Sequence, residues 1–468
     1  MNSRIEQKPG SAEGGSHKNV FVIGLNDFNR ALLQTIDGAE QYVFHTLLEN
    51  AEIEEPEVYR VREPLEKARA QLRAFPGSID AIIGYIDMPV GFMVPVLCRE
   101  FGLPTASLES VLKCQHKYWS RLEQSRVIPD HIPRFNLVDP FADDPLTQID
   151  LDYPFWLKPV KSAGSYLGFR IHNRREFDKR IKAIRDNIRR LADPFNHILE
   201  YADLPDEVAG VDFSHCIAEQ IVGGRQCTLE GYVFEGNFHV FGIVDSIRYP
   251  NRCSFARYEY PSSLPNRVTR RMINITLEFL DYIDFNNSTF NVEFFWDERN
   301  DRIWLLEVNT RISQSHSYLF AMVDGASNHQ SMVEVGLGHR PTMPHRQGRY
   351  RYAGKFYYRM FQDAIVERVP GREDVQRIEQ QVPDAMIRLN VSEGMKLWNL
   401  REQDSYSYDI AWIFVAGNLR QELQSRYREC VAALDFRFAE LRESITKGPH
   451  DHGSDQRNLL NERVYLPK

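Results

Sequence analysis

The chain has 468 residues, 43% hydrophobic and 26% charged, with a formal net charge of −8. That is ordinary globular composition, long enough for roughly two to four packed units. No dense basic block is present, which argues against nucleic acid as a partner, and no run approaches the ~18 apolar residues of a membrane span.

Residues 9–16 are rich in Gly and Ser with no apolar signal region, so residues 1–18 read as a disordered leader. The six cysteines, at 98, 114, 216, 227, 253 and 430, form no CxxC pair. Reduced thiols in a cytoplasmic protein are the expectation. Residues 19–25 form a short apolar run ending in Gly24, and a helical pattern follows from Arg30. This strand–turn–helix opens a parallel sheet, but the lone glycine lacks the dinucleotide-binding spacing. Residues 79–86 are a second buried-strand candidate, with Asp87 at its end. Residues 90–101 read as a helix stopped by Gly102 and Pro104. A helix over 115–123 carries Lys117 and Arg121, and the proline-containing stretch 128–134 ends that segment.

A strand over 153–160 holds Lys158 and runs into the small-residue loop 161–168, with a returning strand at 169–171. A strand pair with such a tip is a flexible flap. An amphipathic helix is expected over 177–191. Residues 216–221 read as a strand ending before Gly223 and Gly224. Strand-like runs follow at 227–234 and 238–245, then a helix over 268–282. Residues 329–338 look helical, and 341–348 mark a boundary. Beyond 350 short strands alternate with turns, and a long helix is expected over 419–436.

The most informative stretch is 291–311. Two β-rich runs flank the polar cluster 297–301, a hairpin signal with a longer loop. With the turn centred near Asn300, Glu293 faces Glu307 and Asn291 faces Asn309. Side chains alternate along a strand, so all four share one face. Carboxylates about 5 Å apart destabilise a bare sheet. A divalent cation removes that conflict, and Mg²⁺ takes carboxylate, phosphate and water oxygens. Taken alone, the hairpin reads equally as a solvated surface pair, and a one-residue slip separates the glutamates. Lys117 and Lys158, taken alone, read as snorkelled side chains. The loop 161–168 lacks the P-loop pattern, but its small residues leave backbone N–H groups able to wrap phosphate oxygens. Arg311 shares the face of Asn309 if the strand continues. There it is a plain ion-pair partner or, beside a reacting phosphate, a stabiliser of negative charge.

In this order and spacing the features resemble the ATP-grasp superfamily, over roughly residues 20–445. The resemblance implies mixed α/β and α+β architecture: an ATP-grasp fold preceded by a Rossmann-like α/β domain and followed by a small C-terminal α+β lobe. The implied domains are a leader at 1–18, the α/β domain at 19–112, the ATP-grasp domain at 113–340 with its flap at about 152–218, the lobe at 341–446 and a flexible tail at 447–468. It implies ATP contacts from Lys117, Lys158, Ser162, Gly164, Ser165 and Gln226, with Glu219, Gln220 and Ile221 as the adenine hinge. Glu293, Glu307 and Asn309 would hold Mg²⁺ or Mn²⁺, and Lys158 and Arg311 would be catalytic.

The segment 307–312 is especially similar to the carboxylase branch, such as biotin carboxylase. There a glutamate precedes the histidine; here Ser315 precedes His316, which argues against bicarbonate chemistry. Gln226 stands where many members carry a ribose-binding acid. The layout resembles the carboxylate–amine ligases that join amino acids. The implied activity is Mg-ATP-driven activation of a carboxylate as an acyl phosphate, then coupling to an amine with release of ADP and phosphate. Two other readings stay open: a biotin-carboxylase-like enzyme forming carboxyphosphate, and a nucleotide-binding protein with little turnover. Implied partners are small carboxylates and amines, not nucleic acid or membrane; the oligomeric state stays open, a homodimer being possible by analogy with family members that are often dimers.

Overall fold

The structure is a computed structural model and describes residues 17–54, 60–162, 166–251, 253–400 and 406–440. The chain opens with β1 (Lys18–Ile23), whose residues Val20 to Ile23 are buried. Gly24, at φ +67, turns the chain into α1 (Asp27–Leu33), capped by the Asn26 side chain. Then come β2 (Tyr42–Leu47), α2 (Asn50–Glu54), α3 (Arg62–Ala74), β3 (Ala81–Ile83) and α4 (Val90–Phe101). The strands form a parallel sheet in the order β2-β1-β3. The strand expected over 79–86 is thus only three residues long. β2 escaped the sequence pattern because it is an edge strand, largely half-exposed, with no continuous apolar run.

A short connection carries α5 (Leu108–Gln115) and α6 (Lys117–Val127). The single helix expected over 115–123 is instead this break, with His116 as the N-cap of α6. Next are β4 (Phe135–Val138), β5 (Phe155–Pro159), β6 (Phe169–Ile171), α7 (Arg174–Asn187), α8 (Arg189–Leu199), α9 (Asp206–Ala209) and β7 (Cys216–Gln220). They build a four-stranded antiparallel sheet, β4-β7-β5-β6, backed by Phe177, Ile181 and Ile184 of α7. The one helix expected over 177–191 is two, divided at Ile188.

The rest comprises β8 (Arg225–Phe234), β9 (Asn237–Arg248), β10 (Phe255–Tyr260), α10 (Asn266–Tyr282), β11 (Ser288–Asp297), β12 (Arg302–Asn309), α11 (Gln314–Asp324) and α12 (His329–Gly336). After these come β13 (Tyr352–Met360), β14 (Ala364–Arg368), α13 (Arg372–Gln381), β15 (Met386–Leu389), β16 (Tyr408–Gly417), α14 (Arg420–Ala433) and β17 (Arg437–Glu440). One eight-stranded sheet runs β12-β11-β8-β9-β10-β13-β16-β15. Sequence reading missed β10, whose alternation of charged and aromatic residues gives no apolar run. It is the strand through which 352–417 joins the sheet of the central domain. No helix among the described residues is long and apolar enough to cross a membrane. None of the six cysteines is in a disulfide, and all but Cys253 are buried.

The β11–β12 pairing positions the candidate site. Asn291 faces Asn309 and Glu293 faces Glu307, as expected. The turn is not centred on Asn300, however: Asp297 pairs with Arg302, and the register then shifts between Glu293 and Phe294. Leu306 is the extra residue, a β-bulge. Its physical reason is the two faces of the sheet. Leu305 must enter the apolar side, among Val292, Phe294 and the α10 residues Met272 and Phe279. Glu307 must point the other way. Strict alternation would put both on one face.

Candidate active site

The polar face of β8, β11 and β12 is the floor of the site. Gln226, Thr228 and Glu230 of β8 lie opposite Phe295, Glu293 and Asn291 of β11 in the ladder. Glu293 is therefore flanked by Thr228 on one side and Glu307 on the other. Gln226 donates to Glu293 Oε2 at 2.9 Å and accepts from Arg248 Nε at 2.9 Å. Both ends of its amide thus serve to position the carboxylate. Asn309 donates through Nδ2 to Asn291 Oδ1 at 3.3 Å, which leaves its own Oδ1 as the oxygen for a cation.

The roof comes from α6 and the small sheet. Lys117 is the first residue of α6, and its backbone N–H is tied to the Val160 carbonyl at 2.8 Å. A lysine at a helix N-terminus opposes the helix dipole, so packing and function rather than helix stability place it there. His116 caps the turn by accepting from Trp119 N, as neutral imidazole: burial lowers its pKa to about 4. Lys117 Nζ then reaches Glu307 Oε1 at 2.9 Å. Arg121, one turn on, joins the two sheets. It donates to Glu219 Oε1 at 2.8 Å and to the bulge carbonyl of Leu306 at 2.7 Å. Lys158 on β5 meets the other Glu219 oxygen at 2.5 Å.

Glu219 thus contributes a carboxylate that seats Lys158, while its backbone sits mid-sheet opposite Phe135 and Trp156. Gln220 is the last residue of β7, and Ile221 follows it toward the double glycine. Ser162 is half-buried at the root of the flap. Gly164 and Ser165, expected at the flap tip, lie outside the described residues.

Sequence reading missed a second ring of residues. Lys161 is buried, and its Nζ is held by Asp87 at 3.0 Å and Gln115 at 2.8 Å. Gln115 in turn donates to Thr310 Oγ1. Arg311 stands 3.9 Å from Asp87, so the end of the first domain touches both the flap root and the end of β12. Glu230, wholly buried on β8, holds the turn after β12 by accepting from Ser313 N and Asn328 Nδ2. It also meets His316 Nδ1 at 2.5 Å. A lone carboxylate among the apolar residues 227–234 was the available signal.

The charges are unequal. Lys117, Lys158, Lys161, Arg121, Arg248 and Arg311 face Glu219, Glu293, Glu307 and Asp87, an excess of two positive charges. Burial pushes the Glu307 carboxyl up, but Lys117, Lys161 and Lys158 outweigh it and hold the pKa at about 2. Glu293 is raised, by burial first and then by Glu307, against the pull of Arg248 and Arg311. Lys158 is lowered by burial and by Lys117 and Arg121, although Glu219 opposes this. Glu307, Glu293 and the Asn309 amide carbonyl together are an all-oxygen donor set suited to Mg²⁺ or Mn²⁺. Among the described residues no three His, Cys, Asp or Glu side chains converge as a metal cluster. A cation there would be completed by oxygens from a ligand and water. The lysines above it can take a polyanion, with Lys117 approaching from the start of α6 and Lys158 from the small sheet.

The fold and this face define a two-sheet clamp with a preceding α/β domain, able to grip a polyphosphate and a divalent cation between its halves. Residues 151–317 match the family model described as the ATP-grasp domain. The protein thus carries an ATP-grasp domain and has the ATP-grasp fold. Among solved structures it is similar to an L-amino acid ligase from Bacillus licheniformis, with TM-score 0.66 and 17% identity over 91% of this chain and 100% of that one. A carboxyaminoimidazole ribonucleotide synthase from Aspergillus clavatus, complexed with ATP, gives 0.62 and 12% over 89% and 98%. Biotin carboxylase from Campylobacter jejuni gives 0.57 and 13% over 90% and 92%. No curated protein matches the chain in sequence.

Proposed function

We propose that the protein is an ATP-dependent carboxylate–amine ligase acting on amino-acid-like substrates. The observation that carries this reading is the Glu293–Glu307 pair with Asn309 on one sheet, with Lys117 of α6 reaching Glu307 and Lys158 of the small sheet seated nearby on Glu219. Glu293, Glu307 and Asn309 would hold Mg²⁺, which when bound screens the phosphate charge. Lys117 and Lys158 neutralise phosphate oxygens, and ATP binding exchanges their carboxylate partners for phosphate. The substrate carboxylate attacks the γ-phosphorus, giving an acyl phosphate and ADP; positioning and electrostatics dominate such transfers. The amine then attacks the acyl carbon, phosphate leaves, and Arg311 stabilises the negative charge that develops. Water has to be kept from the acyl phosphate, which it would otherwise hydrolyse.

The carboxylase reading is weaker because Ser315, before His316, supplies no carboxylate; the Ser315 hydroxyl accepts from Lys355 instead. The test is phosphate release from Mg-ATP against single and paired amino acids, with chromatography of the nucleotide. ADP formation stimulated by a pair supports the ligase. Stimulation by bicarbonate alone favours the carboxylase, and tight ATP binding with no stimulated turnover favours a binding protein.

A further inference from the structure

Lys355 on β13 is 1% exposed, yet among the described residues no carboxylate lies within ion-pair distance of its ammonium group. Its Nζ donates to Ser315 Oγ at 3.0 Å. Otherwise it faces aromatic rings: Trp412 at 3.6 Å, Tyr357 at 4.6 Å and Phe414 at 5.6 Å from the centroids. Arg388 lies over the same Trp412 at 5.2 Å and over Phe28 of the first domain at 4.9 Å. Burying a cation without an anion is costly, and ring faces offset only part of it. Burial lowers the Lys355 pKa to about 7, although Asp409 pulls the other way. A buried lysine held like this is set to receive an anion.

Its place in the fold says which anion. Ser315 lies in the first turn of α11, which follows directly on Asn309 and Arg311 at the end of β12. The helix N-terminus adds positive potential, and Ser313 makes no side-chain cap there. The neighbouring His316 is 2% exposed, and its Nε2 has no hydrogen-bond partner among the described residues. Phe28, Ser315, Arg388 and Trp412 are only half-buried, so solvent reaches the wall in front of the lysine. The carboxylate that reacts belongs beside the Glu293–Glu307 pair, which Lys355 does not touch.

We propose that Lys355, with Ser315 and Arg388, binds the unreacting carboxylate of the amine substrate, so that the amine partner is an amino acid rather than a simple amine. This rests on the ligase reading above. The ammonium grips the carboxylate, and the rings of Trp412 and Phe28 flank the carbon skeleton. The amine nitrogen, one carbon from that carboxylate in an α-amino acid, is thereby turned toward the acyl carbon near Arg311.

The test uses the full-length protein with Mg-ATP, the twenty common amino acids and their carboxamides, reading phosphate release and product mass. The free acid should be the better acceptor for the wild type. Lys355→Met should raise the KM of the acid about 10- to 100-fold, with a much smaller change in kcat, and collapse the preference of acid over amide. Ser315→Ala should move the same preference in the same direction by less, which keeps the test open if Lys355→Met misfolds. Equal use of acid and amide by the wild type overturns the inference, as does an equal loss on both in the variants. If no combination in the panel releases ADP, the ligase reading itself fails and takes this inference with it.

Discussion

Glu219, buried, and Glu307, half-buried, both have a pKa held at about 2, but they serve different ends. Glu307 stands with a second carboxylate; Glu219 stands between two cations. Glu307→Gln should keep the fold and cut ATP turnover by roughly 10²–10³, because an amide cannot replace a charged oxygen facing a cation. Near-wild-type phosphate release from a folded Glu307→Gln protein would falsify the metal assignment. For Glu219, burial raises the pKa, but Arg121 and Lys158 outweigh it and take it from the ordinary 4.5 down to about 2. A carboxylate depressed on folding stabilises the protein above its unfolded pKa, and that stability is lost as pH falls through the folded value. The contribution, ~3 kcal/mol, is thus complete above about pH 4.5 and gone near pH 2. Denaturant unfolding across this window should show a steeper acid loss for wild type than for Glu219→Gln. Parallel profiles would remove Glu219 from its role as the seat of Lys158.

Among the elements, β12 carries the most consequence. Its bulge sends Leu305 to the core and Glu307 to the site, and the freed Leu306 carbonyl receives Arg121. The backbone, not the leucine side chain, performs that function. Leu306→Ala should therefore retain activity within a few-fold. Deleting Leu306 leaves Leu305 opposite Phe294 and Glu307 opposite Glu293 in an unbulged ladder but removes the carbonyl that anchors Arg121, so turnover should fall well below that of Leu306→Ala. A deletion variant with wild-type turnover would show that the bulge is incidental. The same logic explains why α6 starts at Lys117: the His116 cap breaks the helix so that Lys117 and Arg121 project one turn apart toward the two sheets.

Across the whole molecule, the first domain is joined to the clamp by packing and by polar contacts. One apolar core runs from β1 and β3 through α4 and α5 to α10, β11 and β12. Asn29 of α1 meets both Gln314 and His329. Gly336, at the end of α12, lies so close to β3 that an added Cβ would stand 2.4 Å from Ile83 Cγ2. Gly336→Ala should therefore cost about 1–3 kcal/mol by overpacking, measured by chemical denaturation. No loss would mean that this contact relaxes freely. Asp87, at the end of the segment after β3, links this packing to the candidate site through Lys161 and Arg311.

Local chemistry was enough to read the strand–turn–helix opening, the hairpin, its facing glutamates and asparagines, and the order of lysines and carboxylates. Each depends on residue type and on periodicities of two or 3.6, which neighbours in sequence fix. The resemblance those residues carry was enough to name the fold. The tertiary structure decided what depends on partners distant in sequence. The bulge at Leu306 exists because the apolar face needs Leu305, and β10 is a strand because β9 and β13 flank it. Glu219 turns to Lys158 because Arg121 shares the space, and among the described residues Lys355 ends beside aromatic rings and Ser315 rather than beside a carboxylate. A charge in a chain reads the same whether it ends paired or alone; only burial and the groups brought against it settle which, because the free energy of a buried ion is set by its surroundings.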